Sequence, residues 1–129
     1  MILDSSAVVA VALQEPGHER VLAAMSAASA LGIGAPTLVE TTIVLTARLG
    51  RDARGLASRL ILEADVAVVP FTDEHFGTAL DAWLRFGRGR HEASLNFGDC
   101  LAYATARVAG EPLLFTGADF ARTDIPAVL

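Results

Sequence analysis

The stretch "LNFGDCLAYATARVAGEPLLFT" (Leu95–Thr116) reads as a helix followed by a strand, and that reading decides the fold. After Gly98, residues Leu101, Ala102, Ala104, Thr105, Ala106, Val108 and Ala109 leave almost no polar face, as expected of a buried helix. "PLLFT" (Pro112–Thr116) is a short apolar run of strand type. A crossover helix feeding a parallel strand runs antiparallel to it and so begins near the sheet's carboxyl edge. Asp99, in the first turn of this helix and beside the only cysteine, Cys100, is therefore predicted at that edge. Aspartate near a helix start also caps free N–H groups and meets the positive end of the dipole. Position alone does not assign Asp99 a chemistry.

Outward from this stretch, helices and short apolar strands alternate. "MIL" is a first strand, followed by a helix from Ser5 to about Glu15 that Pro16 and Gly17 break. A second helix is expected over His18–Ser29, and a weak second strand at "GIGA" (Gly32–Ala35). Pro36 and Thr37 open a helix that runs to Leu49 and stops at Gly50. Another spans Asp52–Ala64, with Leu56, Leu60, Ile61 and Ala64 on one stripe. "VAVVPF" (Val66–Phe71) is the most strand-like run, and a helix over Asp73–Phe86 leads into the loop "GRGRHEASLNFG". The tail "TDIPAVL" has room for a last edge strand. This order predicts an α/β fold, three layers of α/β/α around a mostly parallel sheet of four to five strands.

The chain has 129 residues, enough for one domain (1–129) with a real core. With 53% hydrophobic residues and a mean hydropathy of +0.46, disorder is not expected. No window reaches the roughly 18 uninterrupted apolar residues of a membrane helix. Asp4 precedes the N-terminal apolar run with no basic residue before it, so that run is read as folded structure and not as a secretory leader. A lone cysteine makes no internal disulfide and agrees with the cytoplasm. The net charge of −5 argues against nonspecific nucleic-acid binding through bulk charge, while leaving room for RNA contact through a local patch. All ten basic side chains are arginine.

Ligands of such sheets bind outside the carboxyl ends of the strands. Asp4 directly follows the first strand, Glu40 lies early in the helix after the second, Asp99 opens its helix, and Asp119 comes just after "PLLFT". These acids, distant in sequence, are predicted to converge on one edge. Each has a plainer use: Asp4 as a helix cap, Glu40 in a capping box with Thr37, Asp119 in the "TGAD" turn. Glu40 is also placed on a face with Ile43, Val44 and Ala47, and so toward apolar packing. Jointly, crowded carboxylates raise one another's pKa, and no lysine exists to offset them. A hard divalent cation, Mg²⁺ above all, relieves that repulsion and suits phosphate chemistry.

These motifs resemble the PIN-domain ribonucleases, specifically the VapC toxins of toxin–antitoxin modules. "MILDSSAVVAVALQEP", "APTLVETTIVLTARLG", "GRGRHEASLNFGDCLAYATA" and "EPLLFTGADFARTDI" are similar to that family's four motifs, in order and over essentially the whole chain. The resemblance implies a Mg²⁺- or Mn²⁺-dependent endoribonuclease that leaves 5′-phosphate and 3′-hydroxyl ends. It implies a homodimer inhibited by a VapB-like antitoxin inserted into the acidic cleft, with DNA contacted only through the antitoxin. By motif, Asp4, Glu40 and Asp99 match the core acidic, metal-binding positions, and Asp119 the fourth, more variable one. Ser6 matches a hydroxyl that steadies the first aspartate, and Thr116 a similar position by the fourth motif. The "TGADF" turn is shorter than many relatives carry, which leaves open a second metal and whether Asp119 touches metal or acts through water.

Arg88, Arg90 and His91 precede Asp99 in the glycine-rich loop and are candidates to grip RNA phosphates or an antitoxin carboxylate, or simply a solvated loop. Arg48, Arg51 and Arg54 read as a surface patch. Cys100 is discounted as a nucleophile because small apolar residues surround it. His18 and His75 are expected at the surface, and Trp83 and Phe86 in the core or a dimer contact. The "DSSA" start lacks the second aspartate of an Asp-nucleophile phosphatase. From another class, a catalytically weak domain that binds an antitoxin and regulates operator DNA through it remains open.

Overall fold

The computed structural model describes residues 1–129. The elements are β1 (Ile2–Leu3), α1 (Ser5–Ala12), α2 (His18–Ala27), β2 (Leu31–Gly34), α3 (Ala35–Leu49), α4 (Arg54–Glu63), β3 (Val66–Val69), α5 (Asp73–Phe86), α6 (Phe97–Ala109) and β4 (Leu113–Leu114), with a 3₁₀ turn at Phe120–Arg122. The four strands form one sheet in the order β3-β2-β1-β4, every pairing parallel. The expected last edge strand is reduced to one parallel bridge, Leu113 to Ala127.

Side-chain alternation in β1 and β4 divides the core. Ile2 and Leu113 pack with α5 and α6 residues such as Ala82, Phe86, Ala102 and Tyr103. Leu3 and Leu114 point the other way, into a cluster with Val8 and Val21 against which Leu60 and Ile61 of α4 pack. Helices thus cover both faces, as all-parallel sheets require. The glycines of "LGIG" (Leu31–Gly34) belong to this packing: a Cβ on Gly34 would come within 2.6 Å of the Thr105 hydroxyl, so the bare backbone lets α6 lie close on the sheet.

The boundaries differ from expectation where local chemistry intervenes. α1 ends at Ala12, short of Glu15, because Gln14 takes a positive φ of 50°. α2 likewise closes at Ala27, ahead of Ser29, through extended Ala28. β3 stops at Val69 before Pro70, which has no N–H to give.

The topology fixes the ligand edge. β1 is central, its chain leaves toward β2 on one side, and β4 is inserted on the other. This reversal lies at the carboxyl end of β1, where open parallel sheets bind ligands. Asp4 is the residue immediately beyond β1.

Candidate active site

Asp4 caps α1 and is 4% exposed. Its Oδ2 accepts hydrogen bonds from the Ser6 N–H (3.0 Å) and the Ser6 hydroxyl (2.6 Å). Its Oδ1 is buried without any partner. Capping therefore occupies half of the carboxylate. An orphaned buried carboxylate oxygen carries a desolvation penalty, so the other half calls for a ligand. Burial raises the Asp4 pKa, against the hydrogen bonds from Ser6, which lower it; the nearby Glu40 raises it further.

Ser6 does more than steady Asp4. Its oxygen accepts the Thr116 N–H at 3.0 Å, so the end of β4 is tied to the end of β1 through one hydroxyl. Thr116 enters this link by its backbone.

Asp99 is the third residue of α6 in a reciprocal capping box with Asn96. The Asn96 side chain accepts the Asp99 N–H at 2.8 Å, and Asp99 Oδ2 accepts the Asn96 N–H at 3.0 Å. The capping role expected of Asp99 is real, yet here too one oxygen, Oδ1, is left over. Burial lifts the Asp99 pKa to about 6, against the Asn96 N–H; repulsion from Asp4, Asp119 and Glu40 adds to the rise. Repulsion on this one carboxyl from the other three puts their charges within electrostatic reach of Asp99.

Glu40 is not part of a capping box. Gly34 is the N-cap of α3, and Thr37 lies inside the helix without a side-chain cap bond. Nor does Glu40 face the core. The buried stripe of α3 is Thr37, Thr41 and Leu45, whereas Ile43 is 63% exposed and Ala47 is exposed. The expectation of apolar packing for that face holds for Val44, which packs beside Leu45, and fails at Ile43 and Ala47, where the face stays open. It forms instead one wall of an open groove of about 890 Å³ between α3, α5 and the start of α6. Val39, Ile43, Phe76, Leu80, Trp83 and Phe97 line it, and Glu40 belongs to the same lining. Phe76 and Phe97 are 67% and 78% exposed. Asp119 stands exposed ahead of the 3₁₀ turn.

The donor set suits a hard cation: it is all carboxylate oxygen, with a buried unpaired lone-pair bearer in Asp4. No three of these acids close into a ready-made chelate. Mg²⁺ does not require one, since it keeps several waters and takes only one or two direct carboxylates.

The sequence pattern does not single out Asn96 as part of the site, and it offers Thr37 only as a cap. Asn96 holds Asp99, and an N-x-x-D spacing before an apolar helix was its available signal. Thr37, 2% exposed, carries a hydroxyl without a partner one turn before Glu40. Its T-x-x-E spacing pointed to a cap that does not form.

Of the loop candidates, Arg90 donates to the Leu84 carbonyl (3.0 Å) and stacks over Trp83, while His91 Nδ1 accepts the Ala93 N–H (3.0 Å). Arg90 thus ties the loop to α5, and His91 serves the loop itself. The exposed Arg88 side chain makes no such bond. Cys100 is buried, and its thiol is pushed up to about 11, which suits no nucleophile. His75 is buried, against expectation: its Nδ1 accepts the Thr72 N–H at 3.1 Å in the cap of α5, with Phe71 against its ring. Phe86 is core, and Trp83 is on the groove. Arg48 and Arg54 are spent on Glu15 and Asp52.

The sequence pattern of the PIN domain family matches residues 1–126. The VapC36 ribonuclease of Mycobacterium tuberculosis is 48% identical over 126 residues, covering 97% of this chain and 91% of that protein. A VapC ribonuclease of Mycolicibacterium smegmatis is 38% identical over 128 residues, 99% of each chain. The chain belongs to the VapC group of the PIN-domain family. Solved structures agree in fold with this PIN domain. The Mycobacterium tuberculosis VapC20 toxin, which cleaves the sarcin–ricin loop, superposes with a TM-score of 0.78 at 20% identity over 96% of this chain and 95% of that one. A toxin–antitoxin complex from Klebsiella pneumoniae gives 0.71 at 18% identity, over 99% and 95%. No helix of this PIN domain is long and apolar enough to cross a membrane.

Proposed function

We propose that this PIN domain is a Mg²⁺- or Mn²⁺-dependent endoribonuclease, the toxin of a toxin–antitoxin pair acting in the cytoplasm. The observation that carries the reading is the unpaired, buried Asp4 Oδ1 just beyond β1, supported by the repulsion that Asp99 receives from Asp4, Asp119 and Glu40. Asp4, Glu40 and Asp99 would hold the cation, with Asp119 acting through water. Once bound, such a cation supplies positive charge to a phosphodiester and lowers the pKa of a coordinated water. The chain's own contribution is positional. Ser6 fixes Asp4, and Asn96 fixes Asp99. Ionisation of Asp99 completes the negative set as pH rises through about 6. Arg88 is the loop side chain available for an RNA phosphate.

The groove supports the partner half of the proposal. Its walls are apolar and it includes Glu40, so an antitoxin segment with apolar side chains and a basic end fits both regions. The same exposed residues support a homodimer. With a net charge of −5, contact with operator DNA is left to the antitoxin.

The test is cleavage of structured RNA by purified protein with Mg²⁺ or Mn²⁺, reading 5′-phosphate ends. Asp4→Ala and Asp99→Ala each abolish cutting. Undiminished cutting in both variants overturns the assignment. No cutting by wild type in either metal favours the second reading, a weak enzyme that acts by binding its antitoxin, for which the open groove speaks.

A further inference from the structure

We propose that Gly98 is a positioning residue for Glu40: the missing side chain at 98 is the space in which the Glu40 carboxylate sits beside Asp99. The inference rests on the metal-site reading above and adds a residue to it.

Three glycines lie inside helices, Gly55 in α4, Gly77 in α5 and Gly98 in α6. A Cβ on Gly55 or Gly77 would meet nothing within 4 Å. A Cβ on Gly98 would overlap Glu40 Oε2, lying 2.8 Å from its Cδ and 3.1 Å from Oε1. Every one of these nearest atoms belongs to the Glu40 carboxylate, and none is backbone. Gly34 differs: its neighbour is Thr105, a buried side chain. An alanine at 98 therefore leaves the approach of α3 and α6 intact and displaces one flexible carboxylate into the adjoining groove. Alanine is otherwise the better helix residue, so helix formation gives no reason for glycine here. The place of Glu40 does.

The test compares wild type, Gly98→Ala, Glu40→Asp and the double variant Gly98→Ala/Glu40→Asp. Mn²⁺ affinity is read by calorimetry, and thermal melting is read in EDTA. Gly98→Ala is expected to weaken Mn²⁺ binding by about 10-fold, the scale for groups that orient metal ligands, while melting no lower than wild type. Glu40→Asp, one methylene shorter, weakens binding by itself, and adding Gly98→Ala to it weakens binding no further. Wild-type affinity in Gly98→Ala overturns the positioning role and leaves the metal reading standing. An equal loss in the Glu40→Asp background overturns it too, since the effect then bypasses Glu40. A large drop in melting temperature for Gly98→Ala, not relieved by Glu40→Asp, places the clash in the backbone and overturns it. A wild type that holds no Mn²⁺ sinks the metal reading and this inference together.

Discussion

Ser6 and Asp4 form the tightest polar contact of the site, a hydroxyl donating at 2.6 Å to a carboxylate oxygen that also receives the Ser6 N–H. Because the same hydroxyl accepts the Thr116 N–H, one side chain registers β1 against the turn that carries Asp119. Ser6→Ala removes a donor from a buried acid whose pKa that donor lowers. Asp4 then ionises less readily and is less well oriented. The expected result is a loss of about 10- to 100-fold in Mn²⁺ affinity, measured by calorimetry near neutral pH. The lost hydrogen bond to a charged group costs about 1.5–3 kcal/mol in stability, measured by denaturant unfolding.

The acids also set how stability of the metal-free protein varies with pH. Asp99 is lifted from 3.8 to about 6, first by burial, and Asp4 is raised for the same first reason. A carboxyl with a raised folded pKa holds its proton more tightly folded than unfolded. Its contribution is whole below the unfolded value and is lost as pH rises through the folded one. Asp52 and Asp124 are lowered, so their opposite effect falls below the ordinary carboxylate range and outside this window. In EDTA, the melting temperature should therefore drop between about pH 4 and about pH 6. Asp99→Asn should flatten that drop, and excess Mn²⁺ should reverse it at neutral pH. A flat wild-type profile would contradict the assignment.

The places where sequence and structure part company share a cause. Period and turn residues located β1, β2, β4 and the carboxyl edge, because Asp4, Glu40, Asp99 and Asp119 stand at fixed offsets from apolar runs. What periodicity does not carry is which apolar face finds a cover. Ile43 and Val44 look alike in a helical pattern, yet only neighbouring elements decide that Ile43 is left open. His75 shows the reverse. A histidine at a helix start reads as surface, but its ring nitrogen answers the Thr72 N–H and its faces are covered. Asp99 was ambiguous for a further reason, since one carboxylate caps a helix through Oδ2 and still has Oδ1 to offer a ligand.

At the opposite end of α6 from Asp99, Asp124 anchors the C-terminal segment. It accepts from the Tyr103 hydroxyl at 2.6 Å and pairs with Arg85 at 2.9 Å and Arg107 at 2.8 Å. The two arginines lie on α5 and α6, so the acid clips both helices to the stretch following the 3₁₀ turn. The arginines and Asp124 are about half exposed, and solvent screens the pairs. Asp124→Asn should lower stability by only about 1 kcal/mol, with less effect in high salt. Denaturant unfolding at two ionic strengths checks both.

The groove yields a prediction that separates binding from cutting. Phe76 and Ile43 are more than half exposed, so they contribute little to the fold. Replacing either by a polar residue should stay within about 0.5 kcal/mol of wild-type stability and, because neither approaches the acids as a ligand, should leave RNA cleavage unchanged. An interface that buries such side chains loses about 2 kcal/mol or more when a central aromatic is removed. Phe76→Ser should therefore weaken binding of the antitoxin by at least about 10-fold, measured by calorimetry. If the groove is the dimer face instead, the same variant shifts the protein to monomer in analytical ultracentrifugation and leaves antitoxin affinity alone. Groove variants that change neither binding nor assembly would show that this apolar surface serves no partner.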